Sequence, residues 1–273
     1  YLIPPKKNLS IFHGKLLLSE SDHARGLNLP IDVFLRSLAD DQAEKSIGVI
    51  LSGTGSDGTQ GLREIKGHGG MTMVQEPSTA QYDGMPQSAL TTGLVDYCLA
   101  VEAMAPVLTR YVQHPYVSGE PAPEPDVAKP LDDLSAVLGV VRARTGHDFR
   151  HYKRGTLGRR VARRMGLSTL VSLRDYLELL RGSEEEARKL VRDLLIGVTS
   201  FFRDREVFEA LETQYLPALF KRVTDWEIRF WIAACSTGEE AYSLAMLSRE
   251  VLEQIDKRLE IKIFATDIDH DAI

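Results

Sequence analysis

The sequence predicts an α/β fold interrupted by a helical stretch, and three observations carry that expectation. "SIGVILSG" (46–53), "GTQGLREIKGHGG" (58–70) and "MTMVQ" (71–75) read in order as strand, helix and strand. From residue 132 to 196 the apolar residues recur three and four apart, the spacing of helices. "EIRFWIAAC" (227–235), "AYSLAMLSREVLEQI" (241–255) and "KIFATDID" (262–269) then repeat the strand, helix, strand order.

The first strand is a near-continuous apolar, β-branched run bounded by glycine, as expected of a strand buried on both faces. Leu62 and Ile65 stand at helical spacing, and the helix they mark ends in glycines that tolerate positive φ. A strand, a helix and a strand at this spacing form a right-handed parallel crossover. "HPYVSGEPAPEPDVAKP" (114–130) holds five of the twelve prolines and reads as a linker between two folding units. Four helices follow, in "LDDLSAVLGVVRARTG", "RGTLGRRVARRMG", "SLRDYLELLRG" and "EEEARKLVRDLLIG". Their short connections predict a compact helical subdomain, and the second crossover comes after it.

Composition narrows the class of function. The 273 residues suffice for one large domain or two ordinary ones. Hydrophobic residues make up 43% and charged ones 26%, the balance of a soluble globular chain. No apolar run is long enough to span a bilayer, and no signal peptide opens the chain. Two cysteines, Cys98 and Cys235, are too few for a disulfide scaffold and fit a reducing cytoplasm. A net charge of −6 argues against general nucleic-acid binding and leaves room for a local basic patch. Such a patch is expected in "RGTLGRRVARRMG" (154–166), where Leu157, Val161 and Met165 form an apolar stripe. Arg159, Arg160, Arg163 and Arg164 gather beside it, either as a docking surface or as a face paired with the subdomain's own carboxylates. A chain running from Tyr1, with no initiator methionine, to Ile273 is expected to be an excerpt of a longer protein.

In open α/β sheets ligands bind beyond the carboxyl ends of the strands. Ser236 to Glu240 occupy one such end, and Asp267 and Asp269 the next. An acid on the second strand end, about 30 residues after the first turn, suits the two hydroxyls of a ribose. A dinucleotide turn needs GxGxxG so that backbone touches pyrophosphate, and here only Gly238 is present. A nucleoside without phosphate fits better. S-adenosylmethionine is one, and its ammonium suits a carboxylate such as Glu239 or Glu240. The alternative is plain helix capping: Ser236 with Glu239, or Thr237 with Glu240, matches a capping box. Taken alone, these residues leave both readings open.

"LLIGVTSFFRDREVFEAL" (194–211), "RFWIAACSTGEEAYSLAM" (229–246) and "KIFATDID" resemble the CheR-type family of chemotaxis-receptor glutamate methyltransferases. "TGHDFRHYKRGTLGRRVARRM" (145–165) and "DYLELL" (175–180) are similar to that family's N-terminal helical subdomain, so the resemblance covers residues 132 to 273. It implies that Thr199 and Arg203 reach S-adenosylmethionine together with a turn glutamate, Glu239 or Glu240, and Asp267. Gly197 departs from the family, which usually has asparagine there. The implied chemistry asks little of side chains: an ionised substrate glutamate attacks a methyl group in line, and Arg203 orients a carboxylate. The resemblance also implies that the arginine-rich helix docks glutamate-rich receptor helices.

"VILSGTGSDGTQGLREIKGHGG" (49–70) and "VQEPSTAQYDGMPQSAL" (74–90) resemble the C-terminal half of the CheB-type receptor methylesterases. "YLIPPKKNLSI" and "LPIDVFLRSLA" match the segments before it. The resemblance makes Asp57 the third member of a Ser-His-Asp triad; read from the residues alone, Asp57-Gly58 is a common turn pair. Gly84, Met85 and Pro86 would help shape that site. Thr54 and Ser56 stand where many members have methionine and asparagine. The family's serine and histidine lie upstream of Tyr1; none of the seven histidines is at the family position, and no GxSxG elbow occurs.

Together the two resemblances imply four segments. Residues 1–113 would be the C-terminal part of a doubly wound methylesterase domain, and 114–131 a proline-rich linker. Residues 132–196 would form a small all-α subdomain, and 197–273 the start of a Rossmann-like methyltransferase sheet. They imply a cytoplasmic fused enzyme acting on a chemoreceptor-like partner with S-adenosylmethionine and no metal. The competing expectation is an inactive signalling scaffold. A nucleic-acid methyltransferase would show an NPPY-like motif, and none occurs.

Overall fold

The structure, a computed structural model, describes residues 1–20, 28–119, 130–197 and 199–269. Its contacts divide the chain into two compact units, Tyr1–Ile196 and Gly197–Ile273. The division falls at the end of the helical stretch, not in the proline-rich segment, of which residues 120–129 lie outside the described ones.

The first unit opens on an antiparallel hairpin, β1 (Lys7–Phe12) and β2 (Lys15–Glu20), which the sequence reading does not foresee. Its two-residue turn places His13 and Gly14 at φ 48° and 71°, the left-handed pair that matches strand twist. Both turn amides donate to Asp41, near the end of α1 (Pro30–Gln42), so the hairpin is pinned to that helix.

Next comes the foreseen crossover. β3 (Ile47–Ile50), α2 (Thr59–Gly67) and β4 (Met71–Gln75) lead through α3 (Gly84–Thr91) to β5 (Tyr97–Leu99). The strands pair in parallel in the order β3-β4-β5. All five residues of β4 are buried, because side chains alternate between two covered faces. Val74 joins Leu35, Ala39, Ile50, Leu62, Ile65 and Ala89 on one side. Met71 and Met73 join Met104, Tyr111 and Val117 on the other, the last three from α4 (Val101–Val112) and α5 (Pro115–Ser118).

α6 (Pro130–Thr145), α7 (Arg154–Leu167), α8 (Leu173–Gly182) and α9 (Glu184–Leu195) are the four expected helices. They close on their own core of Val137, Val141, Leu157, Val161, Tyr176, Leu180 and Leu190. Leu157 and Val161 are buried as their stripe predicts. Two of the arginines pair with the subdomain's own carboxylates, as one of the two expectations has it, but not on a solvated face. Arg163 and Arg164 are buried, Arg160 is half-buried, and only Arg159 of the four is exposed. Arg164 makes a two-pronged bond to Glu186 at 2.6 and 2.9 Å, and Tyr176 Oη donates to the same carboxylate at 3.0 Å.

Arg163 is 0% exposed and bonds Asp193 of α9 at 2.5 Å, Asp96 ahead of β5, and the Gly70 carbonyl at 2.8 and 3.0 Å. Lys66 completes a four-charge cluster, with Nζ 3.0 Å from Asp96 and in ionic contact with Asp193 at 3.2 Å. Burial alone would raise the pKa of both aspartates. Arg163 and Lys66 outweigh it, holding both carboxyls below the usual range. Burial likewise works against the Arg163 charge, and Asp193 and Asp96 more than restore it.

The second unit has a parallel pair, β6 (Glu227–Ala233) and β7 (Glu260–Thr266), with Glu227 opposite Glu260 and Ala233 opposite Thr266. α12 (Glu239–Gln254) crosses between them, as foreseen. It packs Leu247, Val251 and Leu252 on Leu216 and Phe220 of α11 (Leu216–Arg222), which continues α10 (Arg205–Ala210) through a π turn.

The buried aspartates predict a pH dependence. Their pKa values are lower folded than unfolded, where aspartate sits near about 3.9. The stability they contribute is therefore full above about pH 4 and lost as pH falls through the folded values. Thermal unfolding of the full-length protein followed from pH 6 to 3 should show the midpoint falling below about pH 4, and less steeply in Asp193→Asn. Equal slopes in both would remove the cluster as the cause.

Candidate functional site

Two strand-to-helix turns carry the residues that the sequence singles out, and both begin their helix with a glycine. Gly58 at φ 92° precedes α2, and Gly238 at φ 93° precedes α12. No side chain with a β carbon takes that conformation without strain.

In the first turn the Asp57 carboxylate accepts the amides of Ile31 at 3.1 Å and Asp32 at 2.9 Å. Those are first-turn amides of α1, whose own N-cap, Leu29, has no side chain to offer. Asp32 answers in kind: its Oδ1 accepts Gly61 N, in the first turn of α2, at 2.7 Å. The two helix starts thus cap each other, an arrangement no local motif announces. Asp32 is buried, and that burial raises its pKa with a smaller push from Asp57. The Gly84 stretch lies against the same turn: Met85 N bonds Gly53 O at 2.9 Å. A β carbon on Gly84 would come within 3.1 Å of Gly55 N. Among the described residues the hydrogen bonds to Asp57 come from backbone amides, not from a histidine.

The second turn is built more tightly. Ala234, Ser236 and Gly238 all have positive φ, at 61°, 48° and 93°. Such backbone costs about 1–3 kcal/mol per non-glycine residue and persists only where surroundings impose it. Here Cys235 N donates to Thr266 O at 3.1 Å, Ser236 N to Asp267 Oδ2 at 2.6 Å, and Gly238 N to Cys235 O at 2.9 Å. Asp267 also accepts Asp269 N at 2.8 Å, so it fixes both strand ends.

The capping box does not form: α12 has Gly238 as its N-cap and no side-chain cap bond. Glu239 instead accepts the Thr237 hydroxyl at 2.5 Å. Ser243, buried one helical turn on, donates to Glu239 O at 2.6 Å and accepts Phe202 N at 2.9 Å. That bond fastens the segment from Thr199 to Asp204 over the turn, with Phe202 and Asp204 also at positive φ.

Between segment and turn lies a cavity of about 210 Å³. Thr199, Arg203, Asp204, Phe208, Ser236 and Glu240 are among the residues lining it. Of the residues singled out, Thr199, Arg203 and Glu240 therefore share one cavity, while Glu239 and Asp267 lie outside its lining and hold the turn. Ser200, Asp204, Phe208 and Ser243 were not foreseen. Ser243 alone had a signal, four residues after Glu239 on the same helix face. Gly197, the departure from the family pattern, is in contact: a β carbon there would fall 2.6 Å from Ser236 Oγ, which fills the place of a side chain. Chemically, two carboxylates and a guanidinium around one cavity suit a ligand that carries both charges. The volume is under the roughly 300–1,000 Å³ of whole ligand pockets, so it suits one end of such a molecule.

The CheB methylesterase family model matches residues 1–108, the CheR all-alpha domain 132–195, and the CheR methyltransferase SAM binding domain 197–273. The chain is a CheB–CheR fusion. An uncharacterized 104.1 kDa protein of Rhodobacter capsulatus is 36% identical over 98% of this chain and 30% of its own length. A chemotaxis protein methyltransferase of Borreliella burgdorferi is 29% identical over half of each chain. The solved CheB methylesterase catalytic domain of Thermotoga maritima overlaps 38% of this chain and 58% of its own, with 31% identity and a TM-score of 0.35. The fusion thus spans about a third to three fifths of each. The match to the SAM binding domain points to S-adenosylmethionine as the cofactor of residues 197–273. Among the described residues no helix is long and apolar enough to cross a membrane.

The mutual capping makes a prediction. Asp57→Ala strands two amides of α1 and should cost about 0.5–2 kcal/mol in denaturant unfolding, while Asp57→Asn, which keeps one acceptor, should cost less. Equal stability of Asp57→Ala and wild type would show that α1 needs no cap from this turn.

Proposed function

We propose that the full-length protein is a protein-glutamate O-methyltransferase joined to a protein-glutamate methylesterase, working in the cytoplasm on a chemoreceptor-like partner. The segments would be a methylesterase-like domain at 1–113, a linker at 114–131, a helical subdomain at 132–196 and an S-adenosylmethionine-binding domain at 197–273. The convergence of Thr199, Arg203 and Glu240 on one cavity at the end of β6 carries the reading.

S-adenosylmethionine supplies an electrophilic methyl group. Its amino-acid end carries both charges, which matches Glu240 and Asp204 on one hand and Arg203 on the other. Asp267 stands at the second strand end as the candidate partner of the ribose hydroxyls; Ser236 N and Asp269 N each use one of its oxygens, leaving lone pairs over. Glu239 supports the site by holding Thr237. A glutamate side chain is ionised near neutral pH and needs no general base. What remains for this chain is to orient the carboxylate, a task for Arg203, and to keep water out, a task for Phe208 and the pinned segment above the turn. In the esterase half Asp57 is the candidate triad aspartate, and the amides of α1 that hold it fix its orientation.

Asp267→Ala in the full-length protein removes both the turn anchor and the candidate ribose partner. Losing a charge-assisted bond costs about 1.5–3 kcal/mol, so affinity for S-adenosylmethionine should fall roughly ten- to a hundredfold in titration calorimetry. Unchanged affinity would sink the Asp267 assignment. Transfer of labelled methyl to a receptor fragment tests the reaction itself, and no base-labile methyl ester on glutamate would sink it.

A further inference from the structure

We propose that the arginine face of α7 is an intramolecular docking surface, which holds the helical subdomain on the methylesterase-like half. Its partner is the Asp96-bearing end of this chain's own sheet, not an outside acidic ligand. This goes beyond the reading above and does not depend on either enzyme being active.

Each half has a core of its own. The cluster around Val141 and Tyr176 draws only on residues 134–195, and the cluster around Leu62 and Val74 only on residues 31–95. Two such bodies on one chain are the ordinary case of separate domains. What joins them is a third set of contacts. Leu167, at the end of α7, completes the apolar cluster of Met71, Met73, Met104, Tyr111 and Val117. Arg160 reaches across to donate to Lys66 O at 2.9 Å and Gly67 O at 2.7 Å. Those carbonyls end α2, where a cation also meets the negative end of the helix dipole. Tyr97 Oη donates to Leu167 O, and His114 Nε2 pairs with Leu170 O at 2.9 Å.

The ion cluster sits in the middle, and its charges sort by body. Lys66 pairs with Asp96 inside the esterase-like half, and Arg163 with Asp193 inside the helical one. Each half is therefore neutral there, so the surfaces meet without bringing an unpaired charge into the interior. Docking closes the two pairs into a ring through Arg163 to Asp96 and Lys66 to Asp193, and Arg163 gains the Gly70 carbonyl. A self-neutral pair on each facing surface is what an interface needs. A face meant for a receptor would leave its arginines in water, and Arg160, Arg163 and Arg164 are spent inside the chain.

A protease recognition sequence inserted between residues 119 and 130 of the full-length protein tests this. After cutting, the two pieces should still elute together in gel filtration at micromolar concentration. Asp96→Asn breaks the ring from the esterase side and should weaken their association by at least about tenfold, since truncating one partner of a buried charge pair acts on dissociation. Tyr97→Phe removes one crossing bond, that to Leu167 O, with little risk to folding and should weaken it by a few fold. Arg159→Ala should change nothing. Wild-type pieces that separate on cutting would overturn the proposal. So would pieces whose association is equally tight in wild type and in Tyr97→Phe and Asp96→Asn.

Discussion

The buried guanidinium of Arg163 is the constraint on which the first unit depends. A charge with no exposed surface is tolerable only when every donor finds an acceptor. Meeting that demand takes Asp193 from α9, Asp96 from ahead of β5 and the backbone at Gly70. These groups belong to three elements far apart in the chain, so one side chain fixes where the helical layer lies on the sheet. The surrounding apolar contacts are non-directional; the hydrogen bonds choose the register. That division of labour explains why Leu167, whose burial alone would allow some sliding, ends over the two methionines of β4.

The second unit rests on a different device, backbone held out of its preferred regions. Ala234 and Ser236 at positive φ turn the chain so that Asp267 meets an amide of the neighbouring strand end. The turn is thereby tied to β7, its helix to the segment above through Ser243, and the cavity lies where the ties meet. The esterase-like turn uses the same glycine before its helix but spends its aspartate on another helix. One local motif, a strand running through a positive-φ glycine into a helix, serves two cross-links that depend on which amide stands opposite.

Much of this was legible in the sequence. Both parallel crossovers and the four helices follow from apolar period and glycine stops, because those signals are local and the elements are held by the same faces that generate them. The hairpin at the start was missed: β2 is exposed along its length and so lacks the alternation that marks a strand. β5 is three residues long, too short for any period. At the candidate site the strand-end rule brought Glu240 to attention and the family resemblance Thr199 and Arg203, and the structure sets all three around one cavity. Asp32 and Asp204 gave no sign, since each matters through a partner that only folding supplies.

The arginines of α7 show where such reading runs out, and why. Four arginines in six residues have the spacing of a basic surface, and nothing local separates a solvated guanidinium from a buried one. The deciding groups, Asp96 and Asp193, lie 67 and 30 residues away from Arg163. Arg163 and Arg164 also point apart, as adjacent helical residues must, so their shared charge conceals two separate roles. Arg164 is bound within the helical subdomain to Glu186, and Arg163 is bound across to the sheet. Arg159, four residues before Arg163, stays in solvent. A basic run therefore marks a place where charge is needed without saying by whom; here most of it is needed by the protein itself.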